Sequence, residues 1–173
     1  MPKNYIYRVD HDTGFAPNIA SGLCSLCGCK KITIEQWSQK GSWVIGIGGN
    51  NTGKPNKLIY AMEVEENLLY TQFKNRFPRR SKYLEGRCKA DAPVLISRKF
   101  YYFGDKAIGL PKELDNIMIH QHGCKCISKE DIEKLHAHIK SVTKGAGFGS
   151  YGLPNNATEQ SKRCKRILKG LGK

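Results

Sequence analysis

The chain has 173 residues, of which 39% are hydrophobic and 25% charged; that is enough apolar material to bury one core without covalent staples and too much for a disordered or fibrous chain. Its 29 Lys and Arg outweigh 15 Asp and Glu, a formal net charge of +14, which attracts polyanions and makes nucleic acid or a nucleotide the expected partner. No run approaches the ~18 apolar residues that span a bilayer, and the opening MPKNYIYRVD lacks the apolar stretch of a secretory signal, so no membrane partner and a cytoplasmic location are expected.

The first element is a strand in NYIYRV, ended by the loop DHDTGFAPN with its Gly14, Pro17 and Asn18. After the cysteine-bearing CSLCGCK comes KITIEQWSQKG, a short helix or irregular piece closed by Gly41. SWVIGIGG and KLIYAMEVEE flank the turn NNTGKPN, and their β-branched and alternating residues predict an antiparallel hairpin. ENLLYTQFKNRF carries Leu68, Leu69, Tyr70, Phe73 and Phe77 at helical spacing and stops at Pro78. Residues 74–89 hold seven basic residues against Glu85 and predict a basic loop. APVLISRKFYYFG reads as one further β segment, and LPKELDNIM as a helix with Pro111 in its first turn. Ser128 with Asp131 resembles a capping box, and the stripe Ile132, Leu135, Ile139, Val142 predicts a helix over 129–141. The glycine-rich KGAGFGSYGLPNN predicts a loop, and six basic residues beyond Asn155 form a tail suited to nucleic acid or to a protein partner. One α+β domain over 1–154 followed by the basic tail 155–173 is the expected organisation.

Soft ligands gather in two places: Cys24, Cys27 and Cys29 in the first cluster, and His120, His122, Cys124 and Cys126 in HQHGCKC. Zinc takes four such ligands, commonly as two short pairs from distant parts of a chain; this chain offers more candidates than one ion uses. The competing roles are buried cysteine acting as a small hydrophobe and a cysteine nucleophile activated by His120 or His122. In a reducing compartment disulfides are disfavoured, and the isolated Cys88 and Cys164 are expected to be inert. His136 and His138 are expected to pack or to lie on the surface. GIGGNNTG lacks the G-K-[ST] of a phosphate-binding loop, and GAGFG lacks a strand-to-helix setting, which excludes the usual nucleotide motifs. For a base pocket the suitable residues are Asp12 and Asn18 as hydrogen-bonding edges and Phe15 and Trp43 as stacking faces. Lys30, Arg98 and Lys99 would meet phosphate beside Tyr101 and Tyr102. The pocket is expected between the DTGFAPN loop and the start of the hairpin.

The ordered stretches DTGFAPN, GLCSLCGCK, GSWVIGIGG, KLIYAMEVEENLLY, VLISRKFYYFG and HGCKC, spanning residues 10–126, resemble the second family of nucleotide-modification-associated domains, found in phages and bacteria near DNA-modification genes. The resemblance implies an α+β domain tied to nucleic-acid base modification. It aligns family cysteines with Cys24 and Cys29 and a family His-Lys-Cys with Cys124-Lys125-Cys126, implying a zinc tetrad of Cys24, Cys29, Cys124 and Cys126 with Cys27 as a local departure. The hairpin followed by a helix is similar to PUA-like and EVE-like domains, so the expected fold is a small curved antiparallel sheet or PUA-like barrel with flanking helices, pinned by zinc. The expected function is a nucleic-acid-binding module for a modified or unusual base. The alternative is a base-modifying or glycosidic-bond-cleaving enzyme with Asp12 as nucleophile or general base.

Overall fold

The computed structural model describes residues 1–27, 34–82, 84–86 and 88–156, and of Gln36 the backbone alone. Cys29, Lys30, Cys164 and the basic tail beyond Asn156 lie outside the described residues. The strands in chain order are β1 (Asn4–Val9), β2 (Asn18–Ala20), β3 (Leu23–Leu26), β4 (Trp43–Gly48), β5 (Lys57–Glu63), β6 (Glu66–Leu69), β7 (Pro93–Ser97), β8 (Phe100–Tyr102), β9 (Ile108–Gly109), β10 (Cys124–Ile127) and β11 (Gly149–Ser150). The α-helices are α1 (Ile34–Trp37), α2 (Tyr70–Arg76), α3 (Pro78–Ser81) and α4 (Lys129–Val142).

The fold is α+β with two sheets. The larger runs β10-β1-β4-β5-β8-β11, with β9 also on β5, and the smaller runs β2-β3-β7-β6. Pairing is antiparallel except for β1 with β4 and β8 with β11. The larger sheet is mixed and the smaller antiparallel, and among the described residues each keeps two open edges, so of the expected antiparallel sheet or PUA-like barrel no closed barrel forms. The chain passes between the sheets four times, between β1 and β2, between β3 and β4, at residues 64–65 and at residues 98–99.

Three apolar layers follow. Tyr7, Val44, Tyr60 and Met62 of the larger sheet meet Leu26 and Leu95 of the smaller one. On the larger sheet's other face, Ile45, Ile47 and Leu58 pack against Ile132, Leu135 and Ile139 of α4. Outside the smaller sheet, Val94 and Ile96 pack against Tyr70, Phe73 and Leu84. With both faces of β4 covered, its near-continuous apolar run is accounted for. Gly46 has no side chain because the Tyr60 ring lies where a Cβ would stand, and the Tyr60 hydroxyl meets that of Tyr7 at 2.7 Å.

Helix α4 begins where the capping pattern puts it: the Ser128 side chain accepts the Asp131 N–H at 3.0 Å. Pro111 precedes a 3-10 turn, Lys112–Ile117, instead of an α-helix. Two other expectations are corrected. ENLL of the predicted helix is β6, because Asn67 and Leu68 pair with Leu95 and Val94 and the helix starts only at Tyr70. APVLISRKFYYFG is two strands in different sheets. The predicted basic loop is anchored inward by Arg80, whose guanidinium donates to the carbonyls of Ala20, Asn18 and Leu23 on the β2–β3 hairpin. Cys27 and Cys88 form a disulfide across 61 residues with Cα atoms 6.6 Å apart, which corrects their expected roles as a local departure and an inert thiol. Both lie in the apolar layer outside the smaller sheet, and that layer brings them together. No helix among the described residues is long and apolar enough to cross a membrane.

Candidate nucleic-acid interface

The crossings at residues 64–65 and 98–99 run side by side and are stitched together. Glu63 N–H donates to the Lys99 carbonyl at 2.9 Å and Glu65 N–H to the Ile96 carbonyl at 3.1 Å. The Glu65 carboxylate then accepts, through Oε2, the Arg98 N–H at 2.5 Å and the Ser97 hydroxyl at 3.3 Å. Ser97 Oγ also accepts the Lys99 N–H at 2.8 Å, which closes a tight turn. Gly41 N–H donates to the Val64 carbonyl at 2.8 Å and brings Lys40 to the same place.

Where these segments meet, a cleft of about 530 Å³ opens, floored by Leu23, Val64 and Ile96. Lys40, Arg76, Arg98 and Lys99 line it with Glu63, Glu65 and Glu66. Arg76 pairs with Glu66 at 2.6 Å and Lys99 with Glu63 at 3.4 Å. Lys40 and Arg98 are exposed, and among the described residues neither side chain has a hydrogen-bond or ionic partner. The Arg76 guanidinium lies over the Phe77 ring, 5.2 Å from its centre, so this part of the cleft wall is a cation–π pair.

The residues expected at one base pocket are distributed over several sites. Val9 stands opposite Gly48 and Tyr5 opposite Val44, so the Asp12 loop leaves β1 at the far end of β4 from the hairpin start. At ~3.3 Å per residue those ends of β4 are roughly 17 Å apart, so the start of the loop and the start of the hairpin lie at opposite ends of that strand. Asp12 is wholly buried. Its Oδ1 accepts the Tyr102 hydroxyl at 2.6 Å, and its Oδ2 accepts the Asn155 backbone N–H at 3.1 Å. Asn18 is buried in β2; its Nδ2 donates to the Gly14 carbonyl and its Oδ1 accepts from Arg80. Phe15 is half-buried against the layer outside the smaller sheet. Tyr101 and Tyr102 point to opposite faces: Tyr101 packs beneath α4, with its hydroxyl 2.9 Å from His136 Nε2. Trp43 is on that same side, 5.6 Å from the His136 ring. Among the described residues expected at the pocket, only Arg98 and Lys99 reach the cleft. His136 and His138 pack as expected, His138 through Nε2 against the Gly109 carbonyl at 2.8 Å.

Cys24 is wholly buried, and its thiol donates to the Met62 sulfur at 3.7 Å. Burial pushes that thiol's pKa up to about 12. Cys124 is half-buried and Cys126 exposed, two positions apart on β10. Burial, then the neighbouring Cys126 and Glu35, raise the Cys124 pKa, which is the wrong direction for an activated nucleophile. Among the described residues no three His, Cys, Asp or Glu side chains converge to hold a metal; Cys29 lies outside them.

The family model described as nucleotide modification associated domain 2 matches residues 1–92 and 80–161. The chain belongs to this family. Among solved structures it is similar to the crystal structure of ASCH from Zymomonas mobilis, at 15% identity over 78% of this chain and 94% of that one, with a TM-score of 0.45. It is also similar to the N-terminal domain of Staphylothermus marinus McrB, at 12% identity over 78% and 93%, with a TM-score of 0.41. No curated protein matches it.

Sequence reasoning missed Lys40, Glu65, Ser97 and Phe77. The available signal was the run of three acids at 63, 65 and 66, in a chain with only 15, set between two apolar segments.

Asp12 gives the first test. Burial raises its pKa, and the hydrogen bonds from Tyr102 and Asn155 pull it back only in part. A carboxyl whose folded pKa lies above its unfolded one stabilises the fold fully below the unfolded value, and that contribution is lost as pH rises through the folded value. Tyr102→Phe removes the closest donor and raises the folded pKa further. Urea unfolding should therefore show a loss of ~1–3 kcal/mol near neutral pH that shrinks at acid pH; a loss independent of pH would contradict this placement of the proton.

Proposed function

We propose that this domain binds nucleic acid and recognises a modified or unusual nucleobase, with the cleft at the double crossing as the base pocket. The observation that carries the proposal is the cleft itself, an opening with an apolar floor and, unpaired among the described residues, the cations Lys40 and Arg98 at its rim, on a chain of net charge +14. Membership of a nucleotide-modification-associated family supports it. The sealed, fully engaged Asp12 supports a reader over a base-modifying enzyme, because both of its oxygens already accept hydrogen bonds within the fold. A PUA-like relation stays part of the proposal, resting on the β4–β5 hairpin held between two layers.

Phosphate binding by Lys and Arg releases counterions, so affinity falls as salt rises, with a slope of about 0.7 per phosphate for single strands. Binding of a single-stranded DNA oligonucleotide, followed by fluorescence anisotropy across a salt series, should give a negative log–log slope. Replacing Lys40 and Arg98 together by Ala should reduce its magnitude by about 1.4, two contacts at that slope. A flat salt dependence, or an unchanged slope in the double variant, would reject the cleft rim as the phosphate contact.

A structural zinc ion also belongs to the proposal. Residues two apart on a strand face one side, so Cys124 and Cys126 make a ligand pair of the kind zinc accepts; Cys24, turned to Met62, does not join them. The remaining ligands would include Cys29. Elemental analysis of the purified chain should return about one zinc per chain, falling away in a variant with Cys124 and Cys126 both replaced by Ser. Absence of metal from the wild-type chain with both thiols reactive would remove zinc from the account.

A further inference from the structure

Of the three carboxylates in the cleft, Glu63 and Glu66 have cationic partners at 3.4 and 2.6 Å. Glu65 has none among the described residues. It is nonetheless fixed: both the Arg98 N–H and the Ser97 hydroxyl bind Oε2, which leaves Oε1 without a partner among the described residues. Ser97, itself wholly buried, is tied into the turn through Lys99. A carboxylate already held in one orientation loses little conformational freedom when it meets a ligand, and an ionised one can only accept.

We infer that Glu65 is the base-reading group of the cleft and selects nucleobases that present an exocyclic amino group to it. The inference rests on the nucleic-acid reading proposed above and names the ligand chemistry of that same cleft. A cytosine-type edge offers an amino hydrogen to Oε1, whereas a uracil-type edge places a carbonyl oxygen at the same position, against a carboxylate with no hydrogen to give. The Arg76 guanidinium plane, backed by Phe77, supplies a face for the ring, and Lys40 and Arg98 meet the flanking phosphates at the rim. The negative charge opposes phosphate binding slightly and discriminates among bases, as expected of an element that sets specificity more than affinity.

The test compares oligo(dC) and oligo(dU) of equal length binding to the full chain at fixed salt, for wild type and Glu65→Gln. The amide keeps an oxygen for the Arg98 N–H and the Ser97 hydroxyl, so the crossing is preserved, and it gains a donor that suits a carbonyl. Wild type should prefer oligo(dC) by about fivefold or more. In E65Q the preference should be lost or turn towards oligo(dU), which gains both the amide donor and the removal of a charge of the phosphates' own sign. The salt slope of E65Q, measured alongside, should match wild type and shows that the rim is intact; if it does not, Ser97→Ala, which loosens the carboxylate without discharging it, should lower the preference by a smaller factor. Equal binding of the two by wild type, or a preference that survives in both variants, overturns the role of Glu65 and leaves the nucleic-acid reading standing. No binding of either oligonucleotide, or binding indifferent to salt, overturns that reading itself.

Discussion

Two short crossings, residues 64–65 and 98–99, carry the chain from one sheet to the other and back, and the hydrogen bonds between them hold the architecture in register. Glu63 N–H to the Lys99 carbonyl and Glu65 N–H to the Ile96 carbonyl continue the sheets' pairing across the gap between the layers. The Glu65 carboxylate satisfies the Arg98 amide, which pairs with neither sheet. That amide lies at an exposed corner, and the carboxylate takes there the place that a neighbouring strand's carbonyl would take inside a sheet. The same geometry leaves the cleft: two strands diverging from one point cannot keep their side chains in contact.

Away from that corner the fold is closed by buried polar contacts. Asp12 joins the first loop to β8 and to the last described residues. Arg80 reaches under the β2–β3 hairpin to carbonyls that an edge strand would otherwise expose. The Cys27–Cys88 disulfide fastens the α2–α3 region to the same hairpin. Around the cleft, Arg80 is engaged in structure and Arg76 and Lys99 are paired, while Lys40 and Arg98 have no partner among the described residues and are placed to meet a polyanion.

Elements specified by contiguous residues were legible in the sequence. The β4–β5 hairpin was, because its alternation and turn residues are local, and so was α4, whose cap and apolar stripe lie within one segment. The change of sheet inside LISRKFYYF was not, since β propensity is the same whichever sheet a strand joins and the break at Arg98–Lys99 is set by partners over thirty positions away. Leu68 and Leu69 fit helical and extended spacing alike, and the pairing of β6 with β7 decided between them. The CSLC segment drew attention as metal ligands, which hid that Leu23–Leu26 is a strand buried along its whole length. Asp12 stood out as a chemical group, but its partners Tyr102 and Asn155 lie 90 and 143 positions on. The cleft shares that difficulty: Glu65 and Ser97 acquire significance only when the crossings meet.

The most direct measurement is a residue-resolved map of amide chemical-shift changes on adding a single-stranded oligonucleotide to the isotope-labelled chain. Changes concentrated at residues 40–41, 63–66, 76–77 and 97–99 are predicted, with the Arg98 amide, already bound to Glu65, among the largest. Changes confined to the Asp12 loop or to the α4 face, with residues 63–66 and 97–99 undisturbed, would contradict the account.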